Sequence, residues 1–478
     1  MRPAVAPPGA QAAGLDLLRL PLLGSFLRWR HARVAFQLPM LAIAALLIFD
    51  GLFGPQLAPM NLAGVVPWVE WRGLTVLALL QVGSVACTVC PFMLPRWLAK
   101  RLLPAERAWP RALRWKWPAV ALLLLFFWYY EAFDPWASPW LTAVIILVYF
   151  AAAFVVDAFF KGAAFCKYLC PIGQFNFVNS LVSPSEVRVL RPNLCSACAT
   201  KDCIRQPGGC ELGLFQPKKA GNMDCTFCLD CVHACPHDNV GVILRRPGAE
   251  LGDGRHRAGL GHLDERVDLA ALVVVLVYAS YMNAFGMVGP FHGFAGWVAG
   301  LLGTRSEGIV LLVVFALGLG VLPLATVGLA AWASRKLAGS TEPLARVAAH
   351  HSYGLLPLGF GMWLAHYGYH FLTGGLTLVP VVQSFLADAG LPLLGDPAWG
   401  LAPLVPASWL LPIELICLEA GLLLSLVVSH RLARSRQGEL RAARRAFLPW
   451  ALLEIALFAA GVWLMLQPME MRGTLGVG

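Results

Sequence analysis

Nine stretches of this chain are apolar and long enough to cross a lipid bilayer as α-helices, and this constrains the fold more than anything else in the sequence. An α-helix rising about 1.5 Å per residue needs ~20 residues to traverse a hydrocarbon core of ~30 Å. The segments are 34–54, 71–92, 118–137, 139–160, 267–288, 307–333, 353–373, 408–430 and 447–467. Glu131 and Asp134 crowd the end of the third, and the shorter run 376–387 reads as re-entrant or interfacial. Only 13% of the residues are charged against 58% hydrophobic, whereas soluble domains carry about 25% charged residues. Lipid, not water, is the expected solvent for most of the chain.

The charges orient these spans. With the N-terminus inside and the C-terminus outside, the cytoplasmic segments are 1–33, 93–117, 161–266, 334–352 and 431–446. They hold 34 of the 37 Lys and Arg residues, leaving out Arg72, Arg305 and Arg472. Basic residues are retained on the cytoplasmic side of short loops. The net charge of +10 is therefore a topology signal with contact to membrane lipid, and no nucleic-acid partner is expected. Arg19, Arg28, Arg30 and Arg33 ahead of a long apolar run read as an uncleaved signal anchor, and no lipidation signal stands out. The chain divides into a cytoplasmic segment 1–33, a four-helix membrane domain 34–160, a cysteine-rich domain 161–246, a Gly- and Arg-rich mobile linker 247–266, and a five-helix membrane domain 267–478.

Twelve of the 13 cysteines lie between Cys87 and Cys235. The strongest signal is Cys225-x2-Cys228-x2-Cys231-x3-Cys235-Pro236. Cysteines two residues apart wrap a tight loop around one [4Fe–4S] cubane, while a fourth followed by Pro serves the neighbouring cluster in two-cluster ferredoxins. Zinc is the competing reading, but zinc pairs separated Cys-x2-Cys knuckles. Upstream lies Cys195-x2-Cys198-x4-Cys203-x6-Cys210. By analogy with the interleaved arrangement, Cys195, Cys198, Cys203 and Cys235 hold one cluster, and Cys210, Cys225, Cys228 and Cys231 the other. Two sequential sites, or spare buried cysteines, are the alternatives. The fold class expected is thus an all-α polytopic membrane protein of about nine transmembrane helices, with a small cytoplasmic ferredoxin-like two-cluster domain.

Two further pairs, Cys87-x2-Cys90-Pro91 and Cys166-x3-Cys170-Pro171, end helices at the cytoplasmic membrane boundary. Four thiols at one depth suit a third cluster, another metal, a dithiol or a structural role, and Lys167 is expected to lower a thiol pKa there. These pairs, with Phe165-Cys166-Lys167-Tyr168-Leu169-Cys170-Pro171-Ile172-Gly173 and the twin ferredoxin motif, resemble the NapH/NosR/CcoG group of membrane-bound polyferredoxins over about residues 34–245. The resemblance implies electron transfer from quinol or other donors to periplasmic reductases, or support of copper-enzyme maturation. It carries over to Cys87, Cys90, Cys166, Cys170 and the eight ferredoxin-type cysteines. Cys87-x2-Cys90 is one residue shorter than the group's usual Cys-x3-Cys-Pro. Neither a NosR-like flavin-binding domain nor a CcoG-like β-sandwich is expected, and the five appended helices fall outside the resemblance.

Within those helices His366 and His370 lie one turn apart on one face, and Glu414 sits at similar depth on the next span. Ionisable groups in lipid are costly and so are functional candidates by default. The three are read as a quinone pocket or a haem b site, against a bland reading as interfacial residues beside Tyr367 and Tyr369. His350, His351 and His430 offer a further haem level at the cytoplasmic end. Asp157, Glu419 and Glu454 suggest a proton path or plain helix–helix hydrogen bonding. Cys417 reads as packing, and Gly318, Gly320 and Gly328 as close helix contacts.

The function expected is iron–sulfur electron transfer in the cell inner membrane, between a cytoplasmic donor or the quinone pool and a respiratory or periplasmic redox partner. A maturation factor for a copper- or haem-containing enzyme is the alternative, and a redox-gated transporter a third class. Redox partners are a ferredoxin-like donor or a respiratory reductase. No substrate-converting active site is visible, so the chain is read as a component of an oxidoreductase system.

Overall fold

A computed structural model describes residues 14–103, 107–205, 208–219, 221–251, 257–258, 261–262 and 265–469. The start of the N-terminal segment 1–33, part of the linker 247–266 and the end of the C-terminal domain with Arg472 lie outside the described residues.

The protein is mostly helical. A short helix α1 (Pro21–Arg28) leads into α2 (Ala32–Phe53). Then come α3 (Leu62–Gln81), α4 (Met93–Leu102), α5 (Trp117–Phe133) and α6 (Pro139–Phe159). After the cysteine-rich region follow α8 (Val267–Phe285), α9 (Gly289–Leu302), α10 (Glu307–Leu337), α11 (Leu344–Asp388), α12 (Ala407–Arg436) and α13 (Leu440–Met465). The label α7 is kept for Pro171–Asn179, which opens the cysteine-rich region. Among the described residues eight helices are long and apolar enough to span a membrane, and α5 is a shorter apolar helix of 17 residues.

Local chemistry sets several helix ends. Pro118 and Pro139 occupy first-turn positions, where a missing N–H costs nothing. Asp134, at φ 44°, closes α5 in the left-handed conformation. Ser138 then caps α6 by accepting from Leu141 N–H at 3.2 Å.

Three features differ from the sequence reading. The second span runs 62–81 rather than 71–92, because buried Glu70 and half-buried Arg72 lie inside it rather than at its outer end. Residues 289–302, which fall in none of the expected spans, form α9, which is too short to span and ends at left-handed Gly303. The stretch 376–387 continues α11 as a helix, with Val381 packed against Leu47, Leu62 and Val65 at the ends of α2 and α3.

Helix packing in lipid depends on small residues that let backbones approach. A side chain at Gly361 would meet the carbonyl of Cys417 at 2.6 Å, and one at Gly421 the carbonyl of Pro357 at 2.9 Å, so α11 and α12 pack closely. Gly359 lies equally tight against Val277 of α8, the most enclosed span. Of the glycines expected to serve this role, Gly318 faces Met282, while Gly320 and Gly328 face open space.

The cysteine-rich region is tied together by one antiparallel ladder, β1 (Ser185–Val189) with β2 (Val240–Leu244), in register Ser185 with Leu244 and Val189 with Val240. A minimal ladder joins Arg257–Ala258 to Gly261–His262. The N-terminal segment docks here. Asp16 accepts from Val242 N–H at 3.1 Å, Arg33 pairs with Asp230 at 3.0 Å, and Arg28 pairs with Asp238.

Candidate metal centres and an intramembrane polar site

The chain between Asp224 and Leu229 is folded as a cradle. Asp224, Phe227 and Leu229 all hold left-handed backbones, at φ 61°, 55° and 62°. Such alternation turns successive backbone N–H groups inward and forms an anion-binding concavity, the kind that surrounds phosphates and iron–sulfur clusters. Cys225, Cys228 and Cys231 stand on this loop and its following turn. Cys228 and Cys231 both lie within electrostatic reach of Cys210. Burial pushes the thiols of Cys225, Cys228 and Cys231 above their ordinary range, and Lys219 opposes this at Cys225 and Cys231.

Cys195, Cys198, Cys203 and Cys235 line a second space, a small cavity completed by Phe215, Pro236 and Val240. Asn239 bridges its rim, donating from Nδ2 to Cys195 Sγ and from its backbone to Cys235 Sγ, each at 3.4 Å. Burial raises the thiols of Cys195 and Cys203. Cys198 is held down to about 7 by the backbone N–H of Lys201 and then by Thr200. Cys210 N–H donates to Cys203 O at 2.8 Å and so joins the two sets.

The third set gathers at the ends of α3 and α6. Cys170 lies within reach of Cys166, Cys90 and Cys87, and Cys87 within reach of Cys90, Cys166 and Cys225. Cys166 sits on a stretch of π-helix, Phe165–Leu169, a geometry found mostly where function requires it. Lys167 acts as expected on a thiol, but on Cys210, where it opposes the rise caused by burial, rather than on its neighbour Cys166. Its ammonium donates to Leu212 O, and burial dominates at the third set, pushing Cys166 up to about 11 and Cys90 up to about 12. The cation that does face Cys166 is buried Arg96, with Nη1 4.0 Å from Sγ. Arg96 also pairs with Asp157 at 3.8 Å and with Glu211, which Lys100 reaches at 2.9 Å. Burial alone would raise Glu211, but Arg96 and Lys100 prevail and hold it at about 2.

Among the described residues no three His, Cys, Asp or Glu side chains converge tightly enough to hold a single metal ion. Thiols that ring a cubane stand farther apart than those on one tetrahedral zinc, because each reaches a different iron. At the Cys225 loop the closely spaced thiols and the inward amides fit a [4Fe–4S] cluster better than zinc; at the second site four thiols line the cavity together with His237. Loading would displace protons from the raised thiols.

From the third set a file of aromatic side chains leads into the membrane. Cys170 opens α7, whose Phe175 meets Trp363 edge-on at 5.2 Å and Tyr367 at 6.4 Å. Tyr367 adjoins His366, and His366 meets His370 at 4.9 Å with the rings near perpendicular. Both histidines lie within electrostatic reach of Arg72. The guanidinium of Arg72 lies 4.5, 4.7 and 5.0 Å from the rings of Trp68, Tyr130 and Tyr367, and donates to Tyr130 OH at 3.1 Å. Cation–π stacking compensates a charge that lipid would otherwise penalise.

Neither ring nitrogen of His366 has a hydrogen-bond partner among the described residues, and neither has His370 Nε2. Glu70, beside Arg72 on another stretch of π-helix (Val66–Trp71), is also buried with both carboxylate oxygens unpartnered. In the sequence Arg72 counts only as a basic residue outside the cytoplasmic segments. Its one available signal was its rarity, as one of three such residues.

Glu414 lies within electrostatic reach of Tyr369, next to His370 in the chain, and of Cys417. His366 and His370 share one face of one helix, so they cannot take opposite axial positions on a single haem. The other candidates make ordinary contacts. His350 Nε2 lies 3.0 Å from Leu432 O, His351 stacks on Trp450, and His430 meets the edge of Phe447. Glu454 accepts from Ser429, and Asp157 accepts from Phe165 N–H at 3.0 Å, capping the π-helical stretch.

No family model and no solved structure matches the chain. A curated relative, "Putative electron transport protein YccM" of Escherichia coli (strain K12), is 29% identical over 147 residues. The match covers 30% of this chain and 38% of that protein, so the chain spans well under half the relative's length.

Proposed function

We propose that this chain is a membrane electron-transfer protein, related to the NapH/NosR/CcoG-like polyferredoxins, that passes electrons between cysteine-held [4Fe–4S] clusters and a quinone at the Arg72–His366–His370 site. The carrying observation is contiguity. Three cysteine sets adjoin one another through Cys203–Cys210 and Cys87–Cys225, and an aromatic file continues from Cys170 to two histidines with free ring nitrogens. The name of the curated relative points the same way. The positive-inside bias supports the inner membrane, with the cysteine-rich domain on the cytoplasmic side.

Bound clusters would supply one-electron storage at tuned potentials. The residues do the rest. Cys195, Cys198, Cys203 and Cys235 hold one cluster, and Cys210, Cys225, Cys228 and Cys231 the other. Cys87, Cys90, Cys166 and Cys170 hold a third redox centre. His366 and His370 accept or return protons at a quinone's oxygens, and Arg72 draws those oxygens by charge. The histidine and arginine site inside the membrane favours a conduit over a maturation factor, which needs no quinone pocket.

Anaerobic purification with iron, sulfide and haem quantitation tests this. About twelve irons per chain and no haem are expected, as three [4Fe–4S] groups require. Cys231→Ser should remove one EPR signal and Cys203→Ser a different one. Zinc without inorganic sulfide would refute the reading.

A further inference from the structure

A separate cavity of about 570 Å³ opens where α5 and α6 meet the loop that precedes α5. Its wall carries Arg111, Arg114, Lys161 and Lys167, together with Arg266, which already pairs with Asp268 at 2.6 Å, against one lining carboxylate, Glu211. That carboxylate is already taken by Arg96 and Lys100. No carboxylate among the described residues pairs with Arg111, Arg114, Lys161 or Lys167 within ion-pair distance. Trp109 and Tyr168 stack in parallel along one side, with centroids 5.3 Å apart.

The site is built rather than incidental. Lys161 N–H donates to Arg107 O at 2.8 Å, locking the loop to the end of α6. Trp109 Nε1 donates to Leu113 O at 2.8 Å, and Arg114 Nε donates to Trp109 O at 3.0 Å, closing the loop on itself. Gathering like charges around open space is unfavourable unless an anion neutralises them.

We propose that this cavity binds a phosphate ester, and that in the membrane the ester is the headgroup of an anionic phospholipid. Its position supports the lipid source. The cavity lies at the ends of two membrane helices, with half-exposed Trp115 in its wall, and tryptophans settle at headgroup depth. Its size lies in the range of sites that enclose small ligands. Basic side chains at a membrane surface attract acidic lipids additively.

The test uses the full-length protein in detergent, titrated with phosphatidylglycerol, phosphatidylcholine or inorganic phosphate, with occupancy read by native mass spectrometry. Phosphatidylglycerol should bind in preference to phosphatidylcholine. Arg111→Gln with Arg114→Gln should weaken it about thirtyfold, whereas Arg111→Lys with Arg114→Lys, which keeps the charge, should restore most of the binding. Arg431→Gln with Arg434→Gln, on a different basic loop, should leave occupancy unchanged. Displacement of phosphatidylglycerol by millimolar inorganic phosphate would support the phosphate chemistry and assign the site to a soluble ester. Equal occupancy in wild type and the Arg111/Arg114 glutamine variant, or equal loss in the Arg431/Arg434 variant, would overturn the proposal.

Discussion

Lys116 Nζ donates to Asp224 Oδ1 at 2.5 Å, and neither side chain is exposed to solvent. The same ammonium reaches Gln174 Oε1 at 2.8 Å and Lys167 O at 2.9 Å. One buried cation at the start of α5 therefore ties together the residue before Cys225, the residue after Cys166, and α7. Two of the three cysteine sets share this anchor.

Removing one partner of a buried pair strands the other charge, at a cost of about 3–5 kcal/mol. Lys116→Met should lower the denaturation midpoint accordingly and strip iron from the Cys225 set. The double variant Lys116→Met/Asp224→Leu should recover much of the loss. A single variant as stable as wild type in denaturant titration would show that the pair contributes nothing.

Gly83 breaks the chain between α3 and the Cys87–Cys90 turn, with φ at 99° and the ring of Phe227 2.7 Å from where a Cβ would sit. Gly83→Ala must both strain the backbone and push Phe227 on the neighbouring Cys225–Cys228 loop, at a cost of about 1–3 kcal/mol. Alkylation of Cys87 and Cys90 in cluster-free protein should accelerate, while Cys195 should react as before.

Glu211 carries a pH dependence. Its carboxyl is held at about 2 against an ordinary 4.5, because Arg96 and Lys100 outweigh its burial. A folded value below the unfolded one means the stabilisation is complete above about 4.5 and is lost as the pH falls toward about 2. Glu211→Gln should cost about 2–3 kcal/mol near neutral pH. The gap between variant and wild-type melting temperatures should narrow steadily below pH 4.5.

At the intramembrane site, His366→Gln should leave iron content unchanged yet slow quinol-dependent reduction of the clusters about a hundredfold, the usual worth of a positioned proton acceptor. Arg72→Lys keeps the charge but loses the flat guanidinium that stacks on three rings, so it should raise the KM for a short-chain quinol more than it lowers kcat. Stopped-flow absorbance checks both.

Much of this architecture was legible in the chain because it is written locally. A run of apolar residues has to become a helix in lipid wherever it lies, since no water is present to satisfy its backbone. The misplaced second span shows the limit of that rule. Glu70 and Arg72 looked like the edge of a helix because hydropathy prices each residue alone, whereas three aromatic rings from separate segments lower the cost of burying Arg72. Residues 289–302 escaped for the opposite reason, being apolar enough for a helix but too short for a span.

Cysteine spacing, the position of most spans and the uneven distribution of charge between them were legible in sequence alone, because each depends on near neighbours or on composition between helices. The pairing of Lys116 with Asp224, 108 positions away, and the meeting of Arg72 with His366 and His370 were decided only by tertiary structure. So was the basic cavity beside Trp109. In each case the energy of a buried charge is set by what packs against it, and that neighbour comes from a distant part of the chain.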